Sequence, residues 1–356
     1  MICCKQEILE RRYKMKAKAV FMTGVRQISI DAVEVDLPGP DQALIHTLYS
    51  AISHGTEMAF YRGTAPFLDR AWDEKTRLFS QSVKPEMSYP FHYGYSNVGK
   101  VVECGANVTT LKPGDMVFSG SPHQTDFVEN ARSLVRLPDG VDPKTGVFLL
   151  IIRTTLNGIL DAGICLGETV VIFGQGVLGQ ILAQMARLSG AGQVIVVDPL
   201  PGRREISLRC GANEALNPLE VDVARQVRGL TNERGADVVI EVSGAFPALQ
   251  EAIRTVVPRG KVVAMGFYQG DGKLNLSSEF HHNWINIQCS QGGSINPALS
   301  NRWNSKRLME TATRLLVKLD LAPLVTNVMD FEDASNAYAL IDQHPDKILQ
   351  VLLKYN

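Results

Sequence analysis

The chain has 356 residues, of which 45% are hydrophobic and 21% charged, close to ordinary soluble globular usage. This length allows two domains. Lysine and arginine total 36 against 37 for aspartate and glutamate, so no strong charge attracts nucleic acid or a membrane surface. No apolar run approaches the ~20 residues that span a bilayer, and no signal-peptide core is present. We therefore expect a cytoplasmic protein that binds a small-molecule substrate, neither nucleic acid nor membrane.

Residues 1–14 form a polar leader that we predict to be a flexible N-terminal extension. The six cysteines include no Cys-x-x-Cys pair, which favours free thiols over a disulfide framework or a structural zinc knot. They are Cys3, Cys4, Cys104, Cys165, Cys210 and Cys289.

Short β-rich runs follow between residues 15 and 150, each bounded by Gly, Pro, Asp or Asn. Examples are "KAKAVFM", "VGKVVECG" and "GDMVFSG", whose spacing predicts an antiparallel, barrel-like unit. A long polar insertion, "RGTAPFLDRAWDEKTRLFSQSVKPEMSYP", interrupts this unit and fits either a cover over a cleft or a surface decoration.

After residue 150 the pattern changes to apolar runs rich in valine and isoleucine, such as "ETVVIFG" and "GQVIVVD". Runs this continuous suit strands that are covered on both faces. Helical patterns separate them, and "VLGQILAQMARLSG" carries one apolar stripe at spacings of three and four. The alternation predicts an α/β domain with a doubly wound parallel sheet and right-handed crossovers.

The most specific motif is "VVIFGQGVLGQ", in which Gly174, Gly176 and Gly179 fit G-x-G-x-x-G between a strand and a helix. The first glycine permits a tight turn, the second lets the backbone approach a pyrophosphate, and the third allows close packing of helix on strand. Val177 and Leu178 open the helix whose N–H groups face the anion. The motif predicts a dinucleotide-binding loop.

Asp198 ends the next strand, 19 residues beyond Gly179, where a carboxylate would accept hydrogen bonds from the adenosine ribose. A carboxylate there repels a 2'-phosphate, which favours NAD as the cofactor. Arg203 and Arg204 follow closely and could instead bind that phosphate, so NADP stays possible.

Two further strands of this domain end in "EVSG" and "MGFYQG". Ligands of open α/β sheets bind outside the carboxyl ends of the strands. We therefore predict that Ser243, Gly244, Gly266 and Phe267 flank the nicotinamide, with ordinary turn formation as the alternative for each.

The stretches "SAISHGTEMAFYRG", "GYSNVGKVVECGANVTTLKPGDMVF" and "LVRLPDGV", together with the glycine loop, resemble the medium-chain dehydrogenase/reductase superfamily, which includes the zinc alcohol dehydrogenases. The resemblance implies a GroES-like β-rich catalytic domain at 15–150, a Rossmann domain at 151–290 and a return to the catalytic domain at 291–356. It also implies a homodimer formed through the edge strand of the dinucleotide domain.

The positions that carry catalytic zinc in such relatives are altered in this sequence. His54 stands in place of a cysteine, Tyr95 and Ser96 stand in place of a histidine and a glutamate, and Ile151 occupies a further ligand position. Catalytic zinc normally takes three protein ligands. We therefore expect no metal at the site, although a rearranged one using His54, Glu57 or His92 stays open.

Without a metal, a proton donor must act on the substrate oxygen. His54 and Tyr95 are our first candidates, Thr56 matches a hydroxyl that relays the proton in relatives, and Glu57 is expected to orient His54. The predicted function is hydride transfer between nicotinamide and an alcohol/carbonyl substrate. The alternatives are a zinc-free reductase of activated C=C bonds and a non-catalytic NAD(P)H-binding relative.

Overall fold

The structure, a computed structural model, describes residues 14–80 and 85–356. Except for Lys14, the predicted N-terminal extension and its two cysteines lie outside the described residues. The chain divides into two compact units. The first contains the described residues up to Val147, together with Asn327–Gln343 and Gln350–Asn356, and the second contains Phe148–Thr326 and His344–Leu349.

The strands divide between the two units. In chain order they are β1 (Met15–Gly24), β2 (Gln27–Val35), β3 (Gln42–Ala51), β4 (Ala71–Asp73), β5 (Leu78–Ser80), β6 (Phe91–His92), β7 (Asn97–Cys104), β8 (Met116–Ser119), β9 (Asp126–Asn130), β10 (Val135–Arg136), β11 (Thr169–Phe173), β12 (Gln193–Val197), β13 (Glu214–Leu216), β14 (Ala236–Glu241), β15 (Val256–Ala264), β16 (Asn286–Cys289), β17 (Asn327–Asp330) and β18 (Val351–Lys354). Strands β1–β10, β17 and β18 belong to the first unit, and β11–β16 belong to the second.

The helices also divide between the two units. They are α1 (Thr56–Arg62), α2 (Pro143–Gly146), α3 (Leu149–Ala162), α4 (Val177–Leu188), α5 (Pro201–Arg209), α6 (Val223–Leu230), α7 (Phe246–Thr255), α8 (Ser305–Leu315) and α9 (Ala334–Gln343). Among these, the longest helices, α3 and α4, belong to the second unit.

The first unit is built on sheets that are antiparallel except for the parallel pair β17-β18, close to what the sequence predicts for a GroES-like domain. One sheet has the order β2-β1-β6, and a larger one has the order β10-β8-β7-β3-β18-β17, with β9 also paired to β3. Side chains from neighbouring strands of the larger sheet, among them Ile45, Val101, Val117 and Phe127, form a buried core. The insertion contributes a small β4-β5 hairpin.

The second unit has the predicted parallel sheet, in the order β13-β12-β11-β14-β15-β16. Every neighbouring pair is parallel. The order is that of a Rossmann sheet, in which the strand order reverses between β11 and β14, the point at which such sheets bind dinucleotides. All five residues of β11 are buried, which is the environment that its uninterrupted apolar run predicts. The predicted fold class is confirmed.

The return of the chain to the first unit lies further along than the sequence suggests. Strand β16 extends the parallel sheet, and α8 packs on α3, so both belong to the second unit. The chain returns at Asn327 instead of residue 291, and it leaves the first unit after Val147 instead of residue 150. The amphipathic pattern of α8 predicts a helix but does not identify the core that the helix covers.

Among residues 14–80 and 85–356, no helix is long and apolar enough to cross a membrane. The cytoplasmic location stays a prediction from the sequence.

Candidate active site

The glycine loop connects β11 to α4 in the second unit. Gly174 adopts φ 91°, a left-handed conformation that favours glycine. A Cβ atom on Gly179 would lie 1.9 Å from the carbonyl oxygen of Gly174, so the third glycine permits close packing of helix on strand. Gly176 is the N-cap of α4, and a Cβ there would meet no protein atom within 4 Å. Val177 is buried and Leu178 half-buried in the first turn. The loop has the form that dinucleotide binding requires.

Asp198 lies just beyond the end of β12 and is nearly fully buried. Its carboxylate accepts the backbone N–H of Gln175, 2.7 Å from Oδ2, and the backbone N–H of Leu200, 2.9 Å from Oδ1. The carboxylate therefore holds the glycine loop in place as well as occupying the position of the ribose contact. Its predicted contact with ribose stays a prediction.

Arg203 and Arg204 lie in the first turn of α5, near Asp198. Arg203 Nη1 is 3.8 Å from Asp198 Oδ2, and Arg203 Nη2 donates to the carbonyl of Pro345 at 2.9 Å. Arg204 Nη1 donates to the carbonyl oxygens of Asp198 and Pro199. Arg204 thus fixes the β12–α5 connection, and Arg203 joins α5 to Pro345. These contacts do not by themselves select between NAD and NADP.

The predicted nicotinamide-flanking residues meet at the carboxyl ends of β11, β14 and β15. A Cβ on Gly174 would lie 2.7 Å from Ser243 Cβ, and a Cβ on Gly266 would lie 2.3 Å from the nitrogen of Gly244. Phe267 is 42% exposed beside them. The structure brings these residues together, while their contact with nicotinamide stays a prediction.

Glu241, which the sequence analysis passed over, connects two of these turns. It is fully buried, and its carboxylate accepts the Ser243 N–H at 2.7 Å and the hydroxyl groups of Ser243 and Tyr268. Burial raises the pKa of the Glu241 carboxyl above its usual range. Its position at the end of a buried strand marks it as a residue that shapes the carboxyl edge of the sheet.

In the first unit, the predicted catalytic residues His54, Thr56 and Glu57 lie where β3 leads into α1. Gly55 is the N-cap of this helix, Thr56 is its first residue and Glu57 stands in the first turn. A carboxylate in the first turn is favoured by the partial positive charge of the helix N-terminus. His54 and Thr56 are half-buried, whereas Glu57 is fully buried.

Glu57 is the centre of a buried polar network that the sequence analysis missed. Its carboxylate accepts the Ser53 N–H at 2.9 Å and the Tyr338 hydroxyl at 2.6 Å, and its Oε2 lies 2.8 Å from His123 Nε2. The other ring nitrogen of His123 lies 2.7 Å from Ser50 Oγ. That the carboxylate orients His54 stays a prediction.

The network continues from Ser50 to the C-terminal segment, because Ser50 Oγ lies 2.7 Å from the hydroxyl of Tyr355. Its side chains are buried, with exposed fractions of 5% or less. They are Ser50, Glu57, His123, Tyr338 and Tyr355. Burial, followed by the charge of Glu57, raises the pKa of Tyr338 above the usual range for a phenol. Buried polar groups are normally satisfied in this way.

The turn at residues 92–96 lies against His123. His123 N–H donates to the Tyr93 carbonyl at 3.2 Å, and His92 Nε2 lies 3.3 Å from the His123 carbonyl. Gly94 has φ 127°, and a Cβ there would lie 2.7 Å from His123 Cδ2. Glycine is therefore required at this point both by its backbone conformation and by the imidazole packed upon it.

Tyr95 and Ser96, at the positions where the sequence analysis expects metal ligands in relatives, have different surroundings. Ser96 is buried, and its hydroxyl donates to the carbonyl of Val147. Tyr95 is half-buried, and burial together with the charge of Glu57 raises its pKa well above the usual range for a phenol. Hydrogen bonds with the side chains of Ser53 and Thr56 oppose this rise. Tyr95 carries its proton at neutral pH, as an ordinary phenol also does, and can act as a hydrogen-bond donor.

The side chains around the candidate site bear on whether it could bind zinc. Within residues 14–80 and 85–356, no group of three or more His, Cys, Asp and Glu side chains could hold a metal ion. Ser96 is committed to a backbone carbonyl, and the Glu57 carboxylate binds three donors. The donor set therefore does not fit the three-ligand site of a catalytic zinc.

Comparison with known proteins places this arrangement in a family. Residues 39–148 match the alcohol dehydrogenase GroES-like domain, and residues 177–308 match the zinc-binding dehydrogenase family. The D-guloside 3-dehydrogenase of Escherichia coli (strain K12) is 32% identical over 322 residues, which cover 87% of this chain and 92% of that protein. The chain belongs to the zinc-type medium-chain dehydrogenase/reductase superfamily.

Other members of the superfamily agree with this assignment. The L-threonine 3-dehydrogenase of Pyrococcus horikoshii is 29% identical, over 87% of this chain and 91% of that protein. A Sinorhizobium meliloti 1021 protein, assigned as a zinc-binding dehydrogenase and crystallised with NADP, has a TM-score of 0.78 at 21% identity. The match covers 96% of this chain and 99% of that structure, which shows the shared fold. This chain is thus an NAD(P)-dependent oxidoreductase, and its relatives are dehydrogenases of small molecules.

Proposed function

We propose that the protein oxidises a secondary alcohol of a small polar molecule to a carbonyl, or catalyses the reverse reaction, with NAD as the preferred cofactor and without zinc. When bound, the nicotinamide ring accepts or supplies the hydride at C4. The names of the relatives support a hydroxyl substrate, because they are dehydrogenases of a guloside and of threonine.

The observation that carries the proposal is the surroundings of Tyr95. Its half-buried phenol packs on Tyr93, with ring centroids 6.2 Å apart, in the surroundings of Ser53 and Thr56. Like any phenol it carries its proton at neutral pH, and burial followed by the charge of Glu57 raises its pKa further. A protonated phenol can donate a hydrogen bond to a substrate oxygen as negative charge develops there. It supplies to that oxygen the stabilisation that a Lewis-acid metal would otherwise give.

The proton of the alcohol requires an acceptor as the hydride leaves the adjacent carbon. We assign this role to His54, because histidine changes its charge near neutral pH and His54 stands in the segment that carries Thr56. We propose that Thr56 relays the proton. In the direction of reduction the same groups return the proton to the substrate oxygen.

Turnover with a panel of secondary alcohols, glycosides and ketones, followed by the absorbance of reduced nicotinamide, tests the proposal. We expect activity with at least one hydroxyl substrate and faster turnover with NAD than with NADP. Tyr95→Phe should lower kcat by roughly 10²- to 10³-fold with little change in KM, as loss of one oxyanion donor does. Tyr49→Phe, a half-buried tyrosine on β3, is the matched control and should leave kcat unchanged.

Metal content decides the zinc-free part of the proposal. We expect the dialysed, active enzyme to contain far less than one zinc per chain, and its activity to survive a chelator. One tightly held zinc per chain, lost together with activity in His54→Ala, would contradict it.

We further propose a homodimer formed through β16, the edge strand of the parallel sheet. An edge strand offers unpaired backbone groups to a second copy, and Ile287 on this strand is 37% exposed. Light scattering that gives twice the chain mass would support this assembly, and a monomer would contradict it.

A further inference from the structure

Two separate segments carry the candidate catalytic groups of the first unit. Residues 53–57 contain His54 and Thr56, and residues 92–96 contain Tyr95. Zinc members of the superfamily place metal ligands in both segments, so a bound metal would also hold the two segments together. Here the ligand positions contain other residues, and some other link must fix the distance between the segments.

We propose that the buried Glu57–His123 pair is this link, and that His123 is a positioning residue for Tyr95. The proposal rests on the proposed function, since it concerns the same site. It adds a residue that lies in neither segment and that has no direct part in the chemistry.

The carboxylate end of the pair is fixed to the first segment. Glu57 is itself part of α1, and its Oε1 accepts the N–H of Ser53 at 2.9 Å, which closes the loop that contains His54. Its Oε2 receives the Tyr338 hydroxyl at 2.6 Å. The carboxylate therefore holds the loop in one conformation while it faces His123.

The imidazole end of the pair is fixed to the second segment. The backbone of His123 bonds to the Tyr93 carbonyl, its carbonyl faces the His92 ring, and its own ring packs on Gly94. These three contacts surround the residue that immediately precedes Tyr95. A shift of His123 would consequently move the backbone from which the Tyr95 phenol projects.

Both nitrogens of the imidazole have neighbours within hydrogen-bonding distance, at 2.8 Å to Glu57 and 2.7 Å to Ser50. His123 is fully buried. With both nitrogens occupied, the ring has no free atom for a substrate, which is why we assign it to positioning rather than to catalysis. Removal of one partner of a buried pair leaves the other uncompensated, so we expect loss of either residue to disturb the site.

The pair also affects the ionisation of Tyr95. The charge of Glu57, acting together with burial, raises the Tyr95 pKa. The groups that face Tyr95 are Ser53, Thr56, Glu57 and Tyr93. Those that face the pair itself are Ser50, Ser53, His92, Tyr338 and the more distant Tyr355. Glu57 is the carboxylate among them, so its neutralisation lowers the Tyr95 pKa and leaves the other groups in place.

The experiment compares substitutions of His123 in the full-length protein. His123→Leu removes every side-chain donor and should lower kcat about 100-fold while the KM for the cofactor stays within twofold. His123→Gln keeps a donor that can reach Glu57 and should recover at least tenfold of this loss. A structural role alone would change the melting temperature of both variants without this difference in kcat.

His46 offers a matched control in the same unit. Its Nδ1 lies 2.8 Å from Asp126 Oδ1, so it forms a second histidine–carboxylate pair, between β3 and β9 and partly exposed. We expect His46→Leu to leave kcat within twofold of the wild-type value. Wild-type kcat in a folded His123→Leu variant would overturn the positioning role and leave the proposed function intact.

A spectroscopic titration tests the pair without turnover. The ultraviolet absorbance of tyrosinate should appear at lower pH in Glu57→Gln than in the wild type, and Tyr95→Phe in the same background should remove part of that component. If no substrate is turned over, the proposed function fails and this titration still tests the pair. An unchanged titration would contradict the influence of Glu57 on Tyr95.

Discussion

The glycine loop and the turn at residues 92–96 are both recognisable pieces of the same superfamily, but they are held in place by different means. The loop is fixed by close backbone packing, such as that of Gly179 on Gly174, and by Asp198, which lies just beyond the end of the neighbouring strand β12. The turn is fixed by side chains that are distant in sequence. His123 and Glu57 are separated by 66 positions, and Tyr338 and Glu57 by 281.

This difference shows what a substitution does in each region. In the loop, a few glycines meet steric requirements that the fold imposes directly, so the motif and its function are inseparable. In the turn, the backbone is held by polar contacts with His123, which in turn lies against Glu57. The same backbone is thus supported by a carboxylate and an imidazole.

The largest expected effect distinguishes two glycines of the loop. Gly179→Ala places a Cβ 1.9 Å from a backbone oxygen and should lower the free energy of unfolding by about 2 kcal/mol or more, because the helix must move away from the strand. Gly176→Ala meets no protein atom within 4 Å, so we expect wild-type stability but at least about tenfold weaker cofactor binding. Thermal unfolding and titration of reduced cofactor measure the two effects.

Gly202→Ala serves as the control for this comparison, since Gly202 lies in α5 and a Cβ there also meets nothing within 4 Å. It should be neutral or slightly stabilising, as alanine is favoured over glycine inside helices. Equal losses of stability in Gly176→Ala and Gly179→Ala would show that the second glycine is structural and not a cofactor contact.

The second unit could be predicted from the sequence almost completely. Continuous apolar strands, the amphipathic α4 and the glycine loop identified a Rossmann sheet, and the sheet order and family membership confirmed it. The position of its last helix could not be predicted, because an amphipathic stripe gives the burial of α8 but not the identity of its neighbour. The return of the chain at Asn327 follows from that contact.

A smaller effect concerns cofactor preference and sharpens the interpretation of Asp198. Asp198→Asn removes the negative charge that disfavours a 2'-phosphate and leaves the nearby Arg203 guanidinium without its ion pair. We expect the ratio of kcat/KM for NAD over NADP to fall about tenfold, equivalent to about 1.4 kcal/mol. Steady-state kinetics with both cofactors give this ratio.

Asp237→Asn is the control for charge alone, because Asp237 also accepts a backbone N–H, from Thr169, and pairs with Arg234 in the same unit. Its cofactor ratio should equal that of the wild type. If Asp198→Asn also leaves the ratio unchanged, Asp198 supports only the loop and the choice of cofactor lies elsewhere.

The polar network of the first unit lay beyond the reach of the sequence. His123 lies in "VFSGSPHQTDFVENARSLV", and no local sequence pattern links it to Glu57. Tyr338 and Tyr355 come from the far end of the chain, and only folding brings them to Ser50 and Glu57. The sequence did predict unusual residues at the expected ligand positions, among them His54 and Tyr95, and that prediction directed attention to this region.

The smallest expected effect tests whether Ser96 has a structural role while its neighbour Tyr95 has a chemical one. Ser96→Ala removes the hydroxyl that donates to the Val147 carbonyl and leaves that oxygen unsatisfied in a buried site. We expect a loss of about 1 kcal/mol in the free energy of unfolding, with kcat and metal content unchanged. Denaturant titration and initial rates measure both. A drop in kcat comparable to that of Tyr95→Phe would instead show that Ser96 takes part in the reaction. The assignment of a structural role to Ser96 and a chemical role to Tyr95 would then be wrong.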